Sequence, residues 1–131
     1  MVSVTPAATV TAPNTMYGLL AAVQVVSLAG AVELAVGELH TCARKGDGTM
    51  ACWGENDKGQ LGDNTNLDRR TPVAVMSMTS AAGVGAGKSH TCAFLAGGTT
   101  MCWGDNGTGQ LGDNTVNERD TPTQVLGLTC P

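Results

Sequence analysis

Aromatic residues are nearly absent, with two Trp, one Tyr and one Phe in 131 residues. Gly is instead abundant at 18 residues, about twice its usual share of ~7%, and that pairing points to many short strands joined by tight turns. No long uninterrupted helical pattern occurs, which excludes a helix bundle. Charged residues make up only 14% of the chain, and its seven Lys and Arg are scattered. Without a basic stripe to track phosphates, nucleic acid is not an expected direct partner. No Lys or Arg precedes Arg44, so the positive flank of a secretory signal is missing and any export signal is expected outside this chain. Cys-x-x-Cys pairs, the commonest mark of a zinc or redox site, are lacking as well.

One long apolar run exists, from Met16 to Gly37, with Gln24 and Glu33 as its main interruptions. Its length alone would suit a membrane span. However, Val23 to Val36 aligns without gaps onto Val73 to Ala86, a segment shorter on apolar residues and broken by Gly83 and Gly85. Equivalent segments of a repeat do equivalent jobs, and the second cannot cross a bilayer, so no membrane insertion is expected.

That alignment is part of a repeat. Gly37 to Val75 lies over Gly87 to Val125 with every matched residue offset by 50, and roughly half the positions are identical. Val23, Val25 and Leu28 stand 50 residues before Val73, Val75 and Met78, which precede Thr123, Val125 and Leu128 by the same step. The expected division is a non-repeat linker or stray edge strand at 1–22, one unit at 23–72, a second at 73–122, and the start of a third at 123–131.

Each unit reads as four short strands, placed in the second near Val73 to Met78, Ala81 to Val84, Ser89 to Leu95 and Thr99 to Trp103. Three-residue hairpin loops, Gly46-Asp47-Gly48 and Ala96-Gly97-Gly98, join the last two strands, with Gly48 and Gly98 at the left-handed position. A Gly, Asn and Asp-rich loop follows Trp53 and Trp103 and runs to Pro72 and Pro122, where a Pro that cannot donate to a ladder marks a strand start. Four-stranded units at this period are blades of a β-propeller. The expected fold class is therefore all-β, two full four-stranded antiparallel blades plus the first strand of a third, an incomplete ring. Because blades bury their faces against neighbours, about three or more units are needed for stability.

The repeat signature is Gly37-x-x-His40-Thr41-Cys42-Ala43 followed by Cys52-Trp53-Gly54-x-Asn56-x-x-Gly59-Gln60-Leu61-Gly62, copied at Gly87 to Ala93 and Cys102 to Gly112. In the copy, His90, Trp103, Gly104, Gln110 and Gly112 hold the equivalent places. This signature resembles the repeat of the regulator-of-chromosome-condensation family in its cysteine-bearing bacterial form. The resemblance implies a propeller of about seven blades in a full-length protein. It also implies protein binding as the common activity, from guanine-nucleotide exchange on a small GTPase to the clamping of β-lactamases. A shared fold does not itself fix a function.

Cys42 and Cys52 are equidistant from the loop centre at Asp47, and Cys92 and Cys102 from Gly97. Each pair is thus expected to face across a hairpin and form a disulfide, Cys42–Cys52 and Cys92–Cys102, which implies an oxidising, extracellular or cell-surface location. The alternative is two pairs of buried reduced thiols in a cytoplasmic protein. Cys130 is left over. His40, Cys42 and Cys52 offer three ligand types that zinc accepts, but a fourth is missing. His40 and His90, each three residues after a Gly, instead tie a tight turn. Trp53 and Trp103 could serve as stacking platforms, but their place before Gly54 and Gly104 favours packing at the blade junction. The Gly59 to Asn64 run and its copy at Gly109 to Asn114 hold calcium-type residues without the acidic spacing of a calcium loop, so they read as turns. No metal and no cofactor is expected.

What varies between units marks specificity, because loop tips change while turns stay. Asn66 to Arg70 differs from Val116 to Asp120, and Asp57-Lys58 from Gly107-Thr108. Arg69 and Arg119 recur and are expected to pair with Asp63 and Asp113, which leaves Lys58, Arg70 and Glu118 as candidate partner contacts. The leading expectation is a non-enzymatic protein-binding scaffold, either completed by further blades or assembled from copies of itself, for instance three chains giving six blades. The alternatives are an exchange-type regulator of a GTPase, or an enzymatic or carbohydrate-binding propeller.

Overall fold

The computed structural model describes Val25 and residues 28–127. Cys130 and nearly all of residues 1–27, including the proposed linker, lie outside that range. Eight strands form two antiparallel sheets. The first contains β1 (Ala31–Val36), β2 (His40–Lys45), β3 (Met50–Gly54) and β4 (Arg69–Ala74). The second contains β5 (Ala81–Ala86), β6 (His90–Leu95), β7 (Thr100–Gly104) and β8 (Arg119–Gln124). Each is a plain meander in chain order. Among the described residues no helix is long and apolar enough to cross a membrane, and the apolar run after residue 30 forms β1.

The hairpin between β2 and β3 shows why this sequence folds locally as it does. Gly48 and Gly98 adopt φ +89° and +95°, the left-handed conformation that closes such a loop and that a side chain would strain. In the first hairpin the Asp47 carboxylate also accepts from the Thr49 backbone N–H at 3.0 Å and its hydroxyl at 2.6 Å. The turn sets the register, which places Cys42 opposite Cys52 and Cys92 opposite Cys102. Both pairs form disulfides with Cα atoms 4.1 Å apart.

The strand expected after each Pro differs in its place. β4 and β8 begin before Pro72 and Pro122 and pair with the strand before them, β3 and β7. They therefore close the sheet they follow instead of opening the next one. The boundary at residue 73 divides sequence repeats rather than sheets, and Thr123 and Gln124 complete the second blade. The reason is tertiary: Pro72 and Pro122 fall inside an outermost strand, where a missing N–H costs no ladder bond.

Alternation gives each sheet two distinct faces. His40, Cys42, Met50 and Cys52 share one, the cystine face. Thr41, Ala43, Ala51 and Trp53 share the other, the tryptophan face. In the second sheet the same faces carry His90, Cys92 and Cys102, and Thr91, Ala93 and Trp103. One buried cluster joins the cystine face of the first sheet (Cys42, Met50, Cys52) to the tryptophan face of the second (Ala93, Trp103), with Leu61, Val75, Met78 and Ala81 filling between them. A smaller cluster of Leu28, Ala31, Ala43 and Ala51, with Val25, Leu34 and Trp53 against it, covers part of the first sheet's tryptophan face.

Candidate functional site

The loops from β3 to β4 and from β7 to β8 are long but highly ordered, and one buried Asn organises each. The Asn56 side chain is fully buried. Its amide donates to Asp63 Oδ1 at 3.1 Å and to the carbonyls of Thr65 and Leu67, both at 3.0 Å, while its Oδ1 accepts from the Leu61 N–H at 3.0 Å. Asn106 repeats this with Asp113 at 3.1 Å, Thr115 at 3.1 Å, Asn117 at 2.9 Å and Leu111 at 3.0 Å. A buried amide that saturates its donors and acceptor in this way converts a stretch of loop backbone into a fixed frame.

The Asp at the centre of each frame is locked from the other side by the Arg that recurs with it. Arg69 Nε reaches Asp63 at 3.1 Å and Arg119 Nε reaches Asp113 at 2.8 Å, the pairings the sequence predicts. Burial alone would raise the Asp63 pKa, but hydrogen bonds from Thr65, Asn56 and Arg69 outweigh it and hold the carboxyl below its ordinary value. Asp113 lies well below it, chiefly through its bond from the Thr115 hydroxyl and then through Arg119 and Asn106. These carboxylates are spent on structure. Among the described residues no group of three or more His, Cys, Asp or Glu is arranged to hold a metal ion.

Asn56 and Asn106 were legible only as signature positions. The one available signal was that Asn stays at both while Glu55 and Asp57 on either side become Asp105 and Gly107.

The signature residues converge instead on the seam between sheets. Thr91 is fully buried. Its hydroxyl donates to the Gln60 carbonyl at 2.9 Å and lies 2.9 Å from His40 Nε2. Since the hydroxyl proton goes to the carbonyl, His40 must donate through Nε2–H, which leaves Nδ1 unprotonated. That Nδ1 is buried and has no hydrogen-bond partner among the described residues, and a Cβ on Gly37 would collide with the same ring. Burial first, and the nearby charge of His90 second, lower the His40 pKa from 6.5 to about 4, against a weaker opposing effect from the His90 backbone.

Trp103, also fully buried, lies on the loop of the preceding unit. A Cβ on Gly62 would stand 2.7 Å from its Nε1, so only Gly lets the indole approach, and its φ of +70° favours Gly independently. Gln60 is buried in the same seam. Gly54 and Gly104 admit the backbone of Leu39-His40 and Ser89-His90, at φ +113° and +108°.

Among the candidate partner contacts, Lys58 and Glu118 meet each other at 3.2 Å, with side chains 43% and 44% exposed. They bridge the two loops, so they are engaged with each other more than the sequence implies. Arg70 is exposed and has no ion pair among the described residues. Next to these charges stand two large apolar side chains that the sequence did not single out, Leu67 at 62% exposure and Val116 at 66%.

Paired four-stranded meanders packed face to face define the chain as β-propeller blades. Two models of the regulator of chromosome condensation (RCC1) repeat match it, one over residues 47–94 and the other over 31–60 and 82–110. The chain belongs to that repeat family. No curated protein matches it by sequence.

Among solved structures, human WBSCR16 superposes with a TM-score of 0.70 at 22% identity, over 80% of this chain and 28% of that one. Prp20p of Saccharomyces cerevisiae, described with its binding to Gsp1p and histones, gives 0.68 at 20% identity over 78% of this chain and 27% of its own. Yeast RCC1 (Prp20) bound to Kap60 gives 0.68 at 21% identity over 78% and 26%. The chain thus spans little more than a quarter of the length of each, and the likeness establishes the fold.

Proposed function

We propose that this chain is a non-enzymatic protein-binding scaffold, and that it recognises its partner through the rim formed by the two β3–β4 and β7–β8 loops. The carrying observation is the contrast inside those loops. The Asn–Asp–Arg frame is the same in both, whereas the tip residues around that Arg change from Asn66-Leu67-Asp68 and Arg70 to Val116-Asn117-Glu118 and Asp120. A rigid frame that presents variable, partly apolar tips loses little conformational entropy on binding. Leu67 and Val116 supply apolar anchors there, and Arg70 supplies a charge with no ion pair among the described residues.

Protein partners are also what two of the similar structures were described with, Gsp1p and histones in one and Kap60 in the other. The two disulfides support an oxidising compartment, outside the cell or at its surface. An exchange-type or carbohydrate-binding role has no specific observation in its favour.

The test is site-specific photocrosslinking from position 67 or 116, compared with position 46 in the opposite hairpin, in the organism that makes the protein. The expected result is one protein captured from the rim positions and lost when Leu67→Asp and Val116→Asp are combined in a chain with unchanged circular dichroism. Capture equal at all three positions, or binding of glycans with no protein, would overturn the reading.

A further inference from the structure

The seam between the two sheets has two halves, and the chain carries a second set of both that is less covered among the described residues. The half contributed by the first unit consists of His40 from its cystine face and Gly59, Gln60, Leu61 and Gly62 from the β3–β4 loop, all buried. The second unit carries the same five residues 50 positions on. There His90 and Gln110 are only half-buried, and Gly109 and Gly112 are exposed. Leu111 alone is buried in both places. On the same face Cys92 is half-buried where Cys42 is fully covered, and Phe94 is 48% exposed.

The other half, the second unit's Thr91, Ala93 and Trp103, is copied as Thr41, Ala43 and Trp53 on the first unit's tryptophan face, where Leu28 and its neighbours already cover Ala43 and Thr41 is 7% exposed. Trp53 is only half-buried where Trp103 is fully enclosed. Val36, paired with Thr41 and therefore on that same face, is 45% exposed.

We propose that a second copy of this chain docks head to tail, its Trp53 seated over Gly112 and its Thr41 hydroxyl between the His90 imidazole and the Gln110 carbonyl. The internal seam is the template, because each residue named is identical to the one that makes the contact inside the chain. Thr41 would donate to the Gln110 carbonyl and accept from His90, as Thr91 does with Gln60 and His40.

The rim charges agree. Glu38 pairs with Lys88 across the internal seam at 3.8 Å. In the docked copy the two positions exchange occupants, Lys88 facing the incoming Glu38, so the signs stay opposite. The interface is heterologous, so repetition gives a ring where the rotation closes and an open array where it does not. It takes Gln110 and Gly112 from the base of the β7–β8 loop, but Leu67 and Val116, the tip positions that carry the test of the scaffold reading, are not among its contacts, so its failure would leave that reading standing.

Sedimentation velocity on the oxidised chain across a concentration series tests it. The expected result is a rise from the 13.3 kDa monomer to multiples of that mass. Trp53→Ala or, on a more exposed position, Val36→Arg removes one face, and His90→Glu removes the other. Each variant alone is expected to remain monomeric, with both disulfides and its β-sheet circular dichroism retained.

An equimolar mixture of Val36→Arg and His90→Glu chains holds one intact face of each kind, and is expected to form a dimer and nothing larger. A wild-type chain that stays monomeric while folded, assembly undiminished in both Trp53→Ala and Val36→Arg, or folded variants that fail to pair on mixing would each overturn the proposal.

Discussion

The two sheets repeat a His and a cystine on their cystine faces, His40 with Cys42–Cys52 and His90 with Cys92–Cys102, yet those residues live in different surroundings. In the first sheet the second unit lies over them. Cys42 and Gln60 are completely enclosed, and His40 is buried and held by Thr91. In the second sheet Cys92, His90 and Gln110 sit half in water. Since these residues and their strand register are the same in both sheets, the difference shows what a neighbouring blade contributes. It dehydrates a histidine and a disulfide, and it completes a hydrogen-bonded relay through one threonine.

The sharpest way to break this comparison is at the tryptophans. Trp103→Ala is expected to lower stability by about 3–5 kcal/mol, the cost of emptying a large, fully packed site. Trp53→Ala in the monomer is expected to cost less, because Trp53 is only partly buried where Trp103 is fully enclosed. Urea unfolding midpoints of the two variants, taken at low chain concentration, measure both, and equal losses would contradict the asymmetry.

The relay comes next. Thr91→Val leaves the Gln60 carbonyl and the His40 Nε2–H buried and unpartnered, for an expected loss of about 2–3 kcal/mol. Thr41→Val, with no such pair described around it, is expected to change stability by less than about 1 kcal/mol.

The same relay gives a pH dependence. The native state keeps His40 neutral, with a pKa of about 4 against 6.5 for a free side chain. The unfolded chain therefore binds the extra proton between those values. The contribution is fully present above about pH 6.5 and is lost as pH falls through about 4, on the order of 3 kcal/mol in all. Protonation would also place an N–H on Nδ1 with no acceptor. Unfolding midpoints between pH 7 and 4.5 should show the loss, and His40→Gln should flatten it.

Smaller still are two effects that concern access. With limiting reductant, Cys92–Cys102 is expected to open before Cys42–Cys52, because Cys92 is reachable from solvent and Cys42 is not. Alkylation followed by peptide mass mapping reads the order. Lys58→Ala is expected to leave the unfolding midpoint unchanged within error, since the bond to Glu118 lies at the surface.

Much of the fold was written locally. Gly48 and Gly98 set the hairpins, the hairpins set the register, and the register set both disulfides; each step spans only a few residues, so pattern and turn chemistry carry it. The pairing of Arg69 with Asp63 and Arg119 with Asp113 was legible for the same reason, six residues separating each pair. The reading went astray where a strand had to choose its neighbour. The segment around Pro72 looks the same whether it opens a sheet or closes one, and only its pairing with β3 decides. Lys58 and Glu118 were seen as separate free charges because their 60-residue separation hides that two loops lie side by side.

By itself, then, the sequence determined the repeat, the all-β class, the cystine hairpins and the residues that each unit presents, all of which follow from turn stereochemistry and period-two alternation. Only the tertiary structure decided which copy of each residue is covered. Burial is a property of what lies across the seam, and two faces that share their His and cystine residues in one chain acquire different hydration and accessibility when a blade packs on one and not on the other.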